Sequence, residues 1–286
     1  MIGATRGEQS GRTGIVGLGL VGGSLARSLK ALPSPPHIRA LSLEPVDLEA
    51  GLAARVIDEA MIEPDGFFEG LDLLVYCTPL NATLHLLEAH RDLLDPETLI
   101  TDVVSLKAPI MERVKRLDLH ASFVGSHPMA GGEGRGFRAS REGLFIDARV
   151  WIVPGGAPEV SVVRVEEFWA SLGARGVRVA AEEHDERMVW VSHLPQLTAN
   201  ALALVLCERG IGRKELGPGG QAMTRLAGSA PEMWRDLLEH APGVLPEAMA
   251  AVEHALSDLR NSSGTGDWEM AAELMRRTRS WFEGES

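Results

Sequence analysis

Cysteine is scarce in this chain of 286 residues, which contains only Cys77 and Cys207. Two thiols so far apart in the sequence provide neither a disulfide framework nor the spacing of a metal site, so we expect a reducing, cytoplasmic compartment and no metal. A segment rich in lysine and arginine is also absent, and the formal net charge is −12. Because nucleic acids and anionic membranes attract basic surfaces, neither is an expected partner.

Long uninterrupted apolar runs are missing as well. The most apolar segment, residues 188–207, contains Ser192, His193 and Pro195, which suits a buried helix better than a bilayer span. Residues 1–11 are polar and lack the apolar core of a secretion signal. Hydrophobic residues nevertheless make up 45% of the chain, enough to fill the cores of the two domains that its length suggests.

Three glycines, Gly17, Gly19 and Gly22, lie where a short apolar segment is followed at once by a helical one. In a dinucleotide-binding turn the first glycine permits the tight bend, the second lets the backbone approach a pyrophosphate, and the third allows close packing of helix on strand. The helix N-terminus then offers unpaired N–H groups to the phosphates. The spacing predicts nucleotide binding; a glycine-rich turn with a purely structural role is the alternative interpretation.

A second predicted strand covers residues 37–43, and Glu44 follows it directly. In this type of fold an acidic residue about 20 positions after the last glycine binds the ribose hydroxyls. A carboxylate there repels the 2′-phosphate of NADP, and the next residue, Pro45, supplies no compensating cation. The pattern predicts NAD as the cofactor.

Apolar strand-like runs alternate with helical segments up to about residue 180, and the remainder of the chain is helical in pattern. Such alternation is typical of a mostly parallel sheet covered by helices, with ligands bound beyond the carboxyl ends of the strands. The sequence predicts an α/β fold, with a Rossmann-type mostly parallel sheet in residues 12–182 and an all-helical C-terminal dimerisation domain in residues 183–286. After the first two strands, the predicted strands cover residues 71–77, 98–104, 122–125, 149–153 and 177–180.

The helical half carries apolar residues on more than one face of two segments, 188–207 and 244–259. A helix that is apolar all round must be buried on all sides. Two such elements are buried more readily when two chains pack their helical halves together. We therefore expect a homodimer whose interface is formed mainly by residues 183–286.

Residues that could carry chemistry follow three predicted strands: Thr78 and Pro79, then Asp102, Ser105 and Lys107, then His127. A histidine at a strand end can accept the proton of an alcohol, because imidazole ordinarily titrates near neutral pH. A histidine that only caps the strand is an equally good interpretation. In the helical half, His193 fits a core histidine better than a ligand, although Pro195 indicates a helix bend near it. Arg225 on its own is a helix cation.

Taken in order, these segments resemble the prephenate and arogenate dehydrogenases of tyrosine biosynthesis. The resemblance extends over about residues 13–260 and is specific as a combination, whereas each fragment alone is not. The matching runs are Gly17-Leu-Gly-Leu-Val-Gly-Gly-Ser24, Glu44, Cys77-Thr-Pro79, Thr101-Asp-Val-Val-Ser-Leu-Lys107, Ser126-His-Pro-Met-Ala-Gly-Gly-Glu133, Ser192-His-Leu-Pro195, Thr224-Arg-Leu-Ala227 and Pro231-Glu-Met-Trp234.

The resemblance implies NAD-dependent oxidative decarboxylation of the small molecule prephenate to 4-hydroxyphenylpyruvate. His127 accepts the proton of the ring hydroxyl, Ser105 positions that hydroxyl, and Arg225 with His193 holds the substrate carboxylates. Glu133, Arg135 and Lys107 are also placed at the substrate. The cofactor contacts are Gly17, Leu18, Gly19, Leu20, Val21, Gly22, Glu44, Thr78, Pro79 and Asp102.

Three positions depart from the family pattern. Arg135 occupies the place of a serine, Ala222 replaces an acid three positions before the matched arginine, and Gln196 stands where a second histidine often follows. A more cationic pocket favours prephenate, because arogenate carries an ammonium where prephenate has a keto group. Arogenate remains the alternative substrate.

Two other function classes stay open. A dehydrogenase of the hydroxyacid or imine-reductase plan shares this layout, but its hydroxyacid versions use a lysine early in the helical half, where this chain offers only Lys214. A non-catalytic NAD-binding module has no need of His127, Ser105 and Arg225 together. Inhibition by tyrosine is expected to act at the active site, because the helical half leaves no room for a separate regulatory domain.

Overall fold

The computed structural model describes residues 11–132, 134–265 and 268–284. The chain forms two compact units. The first contains the described residues up to Asp185 together with Ser229–His240, and the second contains Glu186–Gly228 and the described residues from Ala241 onward. The predicted boundary at residues 182 and 183 thus lies three residues early, and the return of Ser229–His240 to the first unit is not foreseen by the sequence pattern.

A five-stranded, fully parallel sheet forms the centre of the first unit, in the order β3-β2-β1-β4-β5. The register pairs Val16 with Leu41 and Tyr76, and Tyr76 with Asp102, so the carboxyl ends of four strands lie in one row. The strands are β1 (Arg12–Val16), β2 (His37–Leu41), β3 (Glu59–Met61), β4 (Leu73–Tyr76) and β5 (Leu99–Asp102), and the helices between and after them are α1 (Leu20–Lys30), α2 (Pro45–Ala53), α3 (Leu80–His90) and α4 (Ala108–Arg116).

A second, three-stranded sheet follows, in which β6 (Gly125–Pro128) is antiparallel to β7 (Arg149–Val153), and β7 is parallel to β8 (Arg175–Arg178). Helix α5 (Glu159–Ser171) connects β7 to β8. A parallel bridge between Ile100 and Phe123 joins the two sheets. The predicted strand at 122–125 is displaced toward the C-terminus, so His127 lies within a strand rather than after one.

Two apolar cores hold the first unit together. One contains Leu25, Ile38 and Trp169, and the other contains Phe67 and Tyr76. All five side chains are fully buried. The neighbouring residues Ile15 and Val16 of β1 lie in different cores, so both faces of the central sheet are covered by apolar side chains.

The second unit has no strand among its described residues, and its helices confirm the predicted helical half. Helix α6 (Ala181–Met188) leads into it from the first unit and continues through a π-helical turn, Val189–His193. Its other helices are α7 (Leu194–Glu208), α8 (Pro218–Met223), α10 (Leu245–Thr265) and α11 (Trp268–Glu283), with short 3-10 helices at Arg213–Glu215 and Arg225–Gly228; α9 (Pro231–Glu239) belongs to the first unit.

The second unit exposes a broad apolar surface within the part of the chain that the structure describes. Leu204, Val205, Leu256 and Trp281 are all more than half exposed. The stretch Ala181–Glu208 is long and apolar enough to cross a membrane on length and composition alone. That test is weak for a single helix, and a second copy of the chain is another way to cover the same surface.

Candidate active site

The glycine turn after β1 has the geometry that its sequence predicts. Gly17 has a φ of 92°, in the left-handed region that favours glycine. A Cβ added at Gly22 would lie 2.0 Å from the carbonyl oxygen of Gly17, so only glycine allows α1 to pack this close to β1. A Cβ at Gly19 would meet nothing within 4 Å. Gly19 is the N-cap residue of α1 without a side-chain cap, so the first N–H groups of the helix can receive an anion.

The other predicted nucleotide contacts fall at the same edge of the sheet. Leu18 is fully buried in the core, so it can contact a ligand only through its backbone, whereas Leu20 and Val21 are half-buried. Glu44 is exposed and serves as the N-cap residue of α2, three residues beyond the end of β2. After β4, the Thr78 hydroxyl bonds the Thr83 hydroxyl at 2.8 Å, and the exposed Pro79 is the N-cap residue of α3.

Asp102 and Lys107 form a buried ion pair. Both side chains are fully buried, and the Lys107 ammonium donates to the Asp102 carboxylate and, at 2.7 Å, to the Ser126 carbonyl. Asp102 also accepts the backbone N–H groups of Ser126 and Val104, each at 3.0 Å. Burial lowers the pKa of the Lys107 ammonium, and Asp102 opposes that shift. The pair ties the end of β5 to β6, and the cofactor contact by Asp102 and the substrate contact by Lys107 stay predictions.

His127 is held in β6 at the edge where the parallel strands end, because its neighbour Ser126 bonds Asp102, the last residue of β5. The His127 Nδ1 lies 3.0 Å from the Nε2 of His184, and the His184 Nδ1 lies 2.6 Å from the Oδ1 of Asp185. His127 is 9% exposed, His184 is 0% exposed and Asp185 is 2% exposed. The three side chains thus form a hydrogen-bonded row, and only His127, at one end of it, keeps appreciable exposure to solvent.

Asp185, at the other end of this hydrogen-bonded row, is held by the start of α4. The Asp185 carboxylate accepts the backbone N–H of Lys107 at 2.7 Å and that of Ala108 at 2.8 Å. Backbone N–H groups at a helix N-terminus favour a negative charge. Ser105 is half-buried in the bend just before these residues, so the loop that carries it is anchored on both sides.

Sequence reasoning missed His184 and Asp185. They lie in a highly charged run at the start of α6, Glu-Glu-His-Asp-Glu, which has the composition of a solvated helix terminus. Their adjacency is the only local signal, and nothing in the sequence connects them with His127. Their burial results from packing against β6, β7 and α4, which only the folded chain reveals.

His193 and Arg225 both lie in the second unit. His193 ends the π-helical turn and is buried, and Arg225 begins an exposed 3-10 helix. The Gln196 side chain, one turn beyond His193, donates to the Leu226 carbonyl at 2.7 Å and so joins α7 to the turn that carries Arg225. The unusual glutamine therefore has a structural role in placing the cation, and π-helical turns frequently occur at functional sites.

Arg135 contacts an acid rather than standing alone. Its Nη2 lies 3.3 Å from the Oε2 of Glu232 on α9, and both side chains are largely exposed. The backbone N–H of Glu232 and the Arg135 guanidinium lower the pKa of that carboxyl. Exposed pairs of this kind contribute little to stability, because solvent screens the charges. Glu133, also predicted to contact substrate, lies outside the described residues.

Family models match both halves of the chain. The model described as "Prephenate dehydrogenase, nucleotide-binding domain" matches residues 25–178, and the one described as "Prephenate dehydrogenase, dimerization domain" matches residues 180–277. Together they span the second half of α1, His127, His193 and Arg225, and the match begins after the three glycines.

Individual relatives agree. The chain is 32% identical to a prephenate dehydrogenase of Bacillus subtilis (strain 168) over 79% of its own length, and it spans 63% of that relative. It is 28% identical to a cyclohexadienyl dehydrogenase of Zymomonas mobilis over 86% of this chain and 85% of that one. The fold matches the crystal structure of prephenate dehydrogenase from Aquifex aeolicus in complex with hydroxyphenyl propionate and NAD+, with a TM-score of 0.89, 24% identity, and coverage of 98% and 100% of the two chains.

Proposed function

Because this chain belongs to the prephenate dehydrogenase family, we propose that it catalyses the NAD-dependent oxidative decarboxylation of prephenate to 4-hydroxyphenylpyruvate. The observation that carries the proposal is His127, a histidine held on β6 at the carboxyl edge of a sheet whose first turn is built for a nucleotide. Removal of a hydride from an alcohol carbon requires a base that takes the hydroxyl proton, and this base must lie beside the edge of the sheet where the cofactor binds.

The residues present fit NAD. The open Gly19 and the uncapped start of α1 suit the pyrophosphate, and the exposed Glu44 at the start of α2 suits a ribose with both hydroxyls free. Thr78 and Pro79 border the same edge beyond β4. When bound, the nicotinamide ring supplies the acceptor for a hydride.

His127 acts as the base in this proposal. Its Nε2 takes the proton of the ring hydroxyl, which makes the carbon that bears the oxygen a far better hydride donor. The half-buried Ser105 orients that hydroxyl. Carbon dioxide then leaves from the opposite ring carbon and the ring becomes aromatic, so the chain's main task is orientation and charge placement.

Arg225 and His193 hold the substrate carboxylates in this scheme. The planar guanidinium fork matches a carboxylate, and the Gln196 bond to the Leu226 carbonyl fixes the turn on which Arg225 lies. Arg135 lies in the loop after β6 and shares its charge with Glu232, so the choice between prephenate and the ammonium-bearing arogenate rests on the kinetic comparison.

Steady-state production of NADH tests the proposal. The purified chain is given prephenate, arogenate or a panel of small 2-hydroxy acids, each with NAD and with NADP. We expect the highest kcat/KM for prephenate with NAD. A preference for arogenate would change the substrate, turnover of the hydroxy acids alone would place the chain with the hydroxyacid dehydrogenases, and nucleotide binding without turnover would indicate a non-catalytic module.

Replacing Glu44 by serine and Pro45 by arginine is expected to shift cofactor preference toward NADP. The exposed carboxylate at the start of α2 repels a 2′-phosphate, whereas a cation at the next position attracts it. The measurement is the ratio of kcat/KM for NAD and NADP, which should fall at least tenfold, equivalent to about 1.4 kcal/mol. Glu49→Ser, a second acid on α2, is the matched control. Equal use of both cofactors by the unaltered chain would rule out the assigned role of Glu44.

We also propose a homodimer formed through the second unit, in keeping with the family's dimerization domain. Val205→Glu on the exposed apolar surface is expected to give monomers, because it buries a charge at the interface. Val160→Glu is the control, since Val160 is similarly exposed but lies on α5 of the first unit. Light scattering at micromolar concentration should give twice the chain mass for the unaltered protein and for Val160→Glu. A fully active monomer would contradict the proposal.

We also propose that the protein acts in the cytoplasm, in keeping with its scarcity of cysteine, and that its reaction leads to tyrosine. We propose that tyrosine, which shares the ring and side-chain carboxylate of the product, competes for the residues that bind prephenate. Competitive inhibition against prephenate is the expected pattern.

A further inference from the structure

We propose that His184 and Asp185 are positioning residues that fix the proton of His127 on Nδ1 and so keep its Nε2 available as the base. The proposal deepens the proposed function, because it explains how one particular nitrogen becomes the proton acceptor. It stands on the hydrogen-bonded chain from His127 through His184 to Asp185, with N···N and N···O distances of 3.0 and 2.6 Å.

The direction of each hydrogen bond follows from the far end of the chain. Asp185 is an acceptor, because the backbone N–H groups of Lys107 and Ala108 both donate to its carboxylate. His184 must therefore donate through Nδ1, which leaves the Nε2 of the neutral ring as an acceptor. His127 must then donate through Nδ1, so its lone pair is on Nε2.

This arrangement also lowers the free energy of the protonated base. When Nε2 of His127 takes the substrate proton, the ring becomes a cation whose Nδ1–H already points at an acceptor. The negative charge of Asp185 lies one ring further along the chain. A carboxylate behind a histidine base stabilises the imidazolium and holds the ring in one tautomer in other enzymes that use such a pair.

The surroundings keep the chain in place. His184 is fully buried, and the edge of the Trp151 ring on β7 packs against it with ring centroids 6.0 Å apart. Lys107, whose backbone N–H donates to Asp185, pairs through its side chain with Asp102. Three elements, β6, α4 and α6, therefore meet at His184, and water is excluded from the bond to Asp185.

Three variants distinguish the effect of hydrogen-bond direction on His127 from the effect of side-chain packing around His184. His184→Phe keeps an aromatic ring beside Trp151 but offers no acceptor to His127. His184→Gln can accept from His127 through Oε1 while donating to Asp185 through Nε2, so it preserves the direction of the chain without an imidazole. Asp185→Asn replaces one carboxylate oxygen by an amide N–H₂, which then faces a donor, either Ala108 N–H or His184 Nδ1–H. The variant therefore breaks one of these hydrogen bonds or reverses the direction of the bond to His184.

The first measurement is the tautomer of His127 in the full chain without substrate, from long-range ¹H–¹⁵N correlation of ¹⁵N-histidine-labelled protein. The His127→Asn variant assigns the signal by its disappearance. We expect the neutral Nδ1–H form in the unaltered protein and in His184→Gln, and a mixture of tautomers in His184→Phe. An Nε2–H form in the unaltered protein, or a doubly protonated His184, would overturn the proposal.

The second measurement is kcat with prephenate. We expect a loss of about 10–100-fold for His184→Phe, the usual effect of removing an orienting partner, with KM within about twofold. His184→Gln should recover most of that loss, and Asp185→Asn should lose about 10²–10⁴-fold. Unchanged kcat in His184→Phe would overturn the proposal even if the protein is an active dehydrogenase. Because the tautomer is read without substrate, an enzyme that ignores prephenate but shows the expected tautomer would refute the proposed function alone.

Discussion

Replacing His127 by asparagine is expected to lower kcat about 10²–10⁴-fold, the range that a general base contributes. Asparagine can still donate to His184, so the buried chain keeps a partner, but it cannot take a proton from the substrate. The affinity for NAD should stay within about twofold, because the glycine turn lies on β1 and α1. The measurements are steady-state kcat with prephenate and direct titration of NAD.

His120→Asn is the matched control, because His120 is an exposed histidine of the same unit and pairs with the exposed Asp118. This variant should retain the activity of the unaltered chain. Near-normal turnover by His127→Asn would remove His127 from the mechanism. A loss of NAD binding together with turnover would instead assign His127 to nucleotide binding.

Replacing Lys107 by methionine is expected to lower the free energy of unfolding by about 3–5 kcal/mol, the usual cost of leaving one member of a buried ion pair without its partner. Methionine fills much the same volume but leaves the fully buried Asp102 carboxylate with two backbone donors and no cation. Denaturant unfolding measures the change. Arg175→Met, which breaks the exposed pair with Asp147, should change stability by less than about 1 kcal/mol.

The double variant Asp102→Asn with Lys107→Met tests the cause of this loss. Once the buried charge is removed, at least half of the lost stability should return. A loss below about 1 kcal/mol for Lys107→Met alone would contradict the assignment of the pair as a structural anchor. It would also favour the predicted contact of Lys107 with the substrate.

Lys107 links this ion pair to His127, the proposed base. Its ammonium holds Asp102 and the Ser126 carbonyl, while its backbone N–H holds Asp185. The first set of bonds fixes the strand that carries His127, and the second fixes the residue that we propose orients it. A single loop after β5 therefore holds both the proposed base and its proposed support.

The parts of the fold that depend on local patterns could be predicted from the sequence. Gly17 and Gly22 mark the turn because neither position accepts a side chain, Gly19 leaves open space between them, and the alternation of apolar runs marks β1, β2, β4, β5 and β7. The position of strand β6 follows less directly from the sequence. Its residues Ser126, His127 and Pro128 are polar or cyclic and yet buried, so hydrophobicity ends before the strand does.

The parts that depend on distant contacts could not be predicted. Asp102 and Lys107 have the composition of an exposed loop, and only the structure shows that each neutralises the other. Helix α9 has the pattern of any amphipathic helix, but Leu237 packs into a core of the first unit, and Asn81 on α3 bonds both Glu239 and His240. Periodicity identifies an apolar face without identifying the surface that it covers.

The stoichiometry of a single reaction tests the central claim most directly. The purified chain is incubated with NAD and prephenate labelled with ¹³C in the ring carboxylate, and NADH, labelled carbon dioxide and 4-hydroxyphenylpyruvate are measured together. We expect the three products in equal amounts, and none of them at a comparable rate with His127→Asn. Carbon dioxide with phenylpyruvate and no NADH, or NADH without carbon dioxide, would contradict the account.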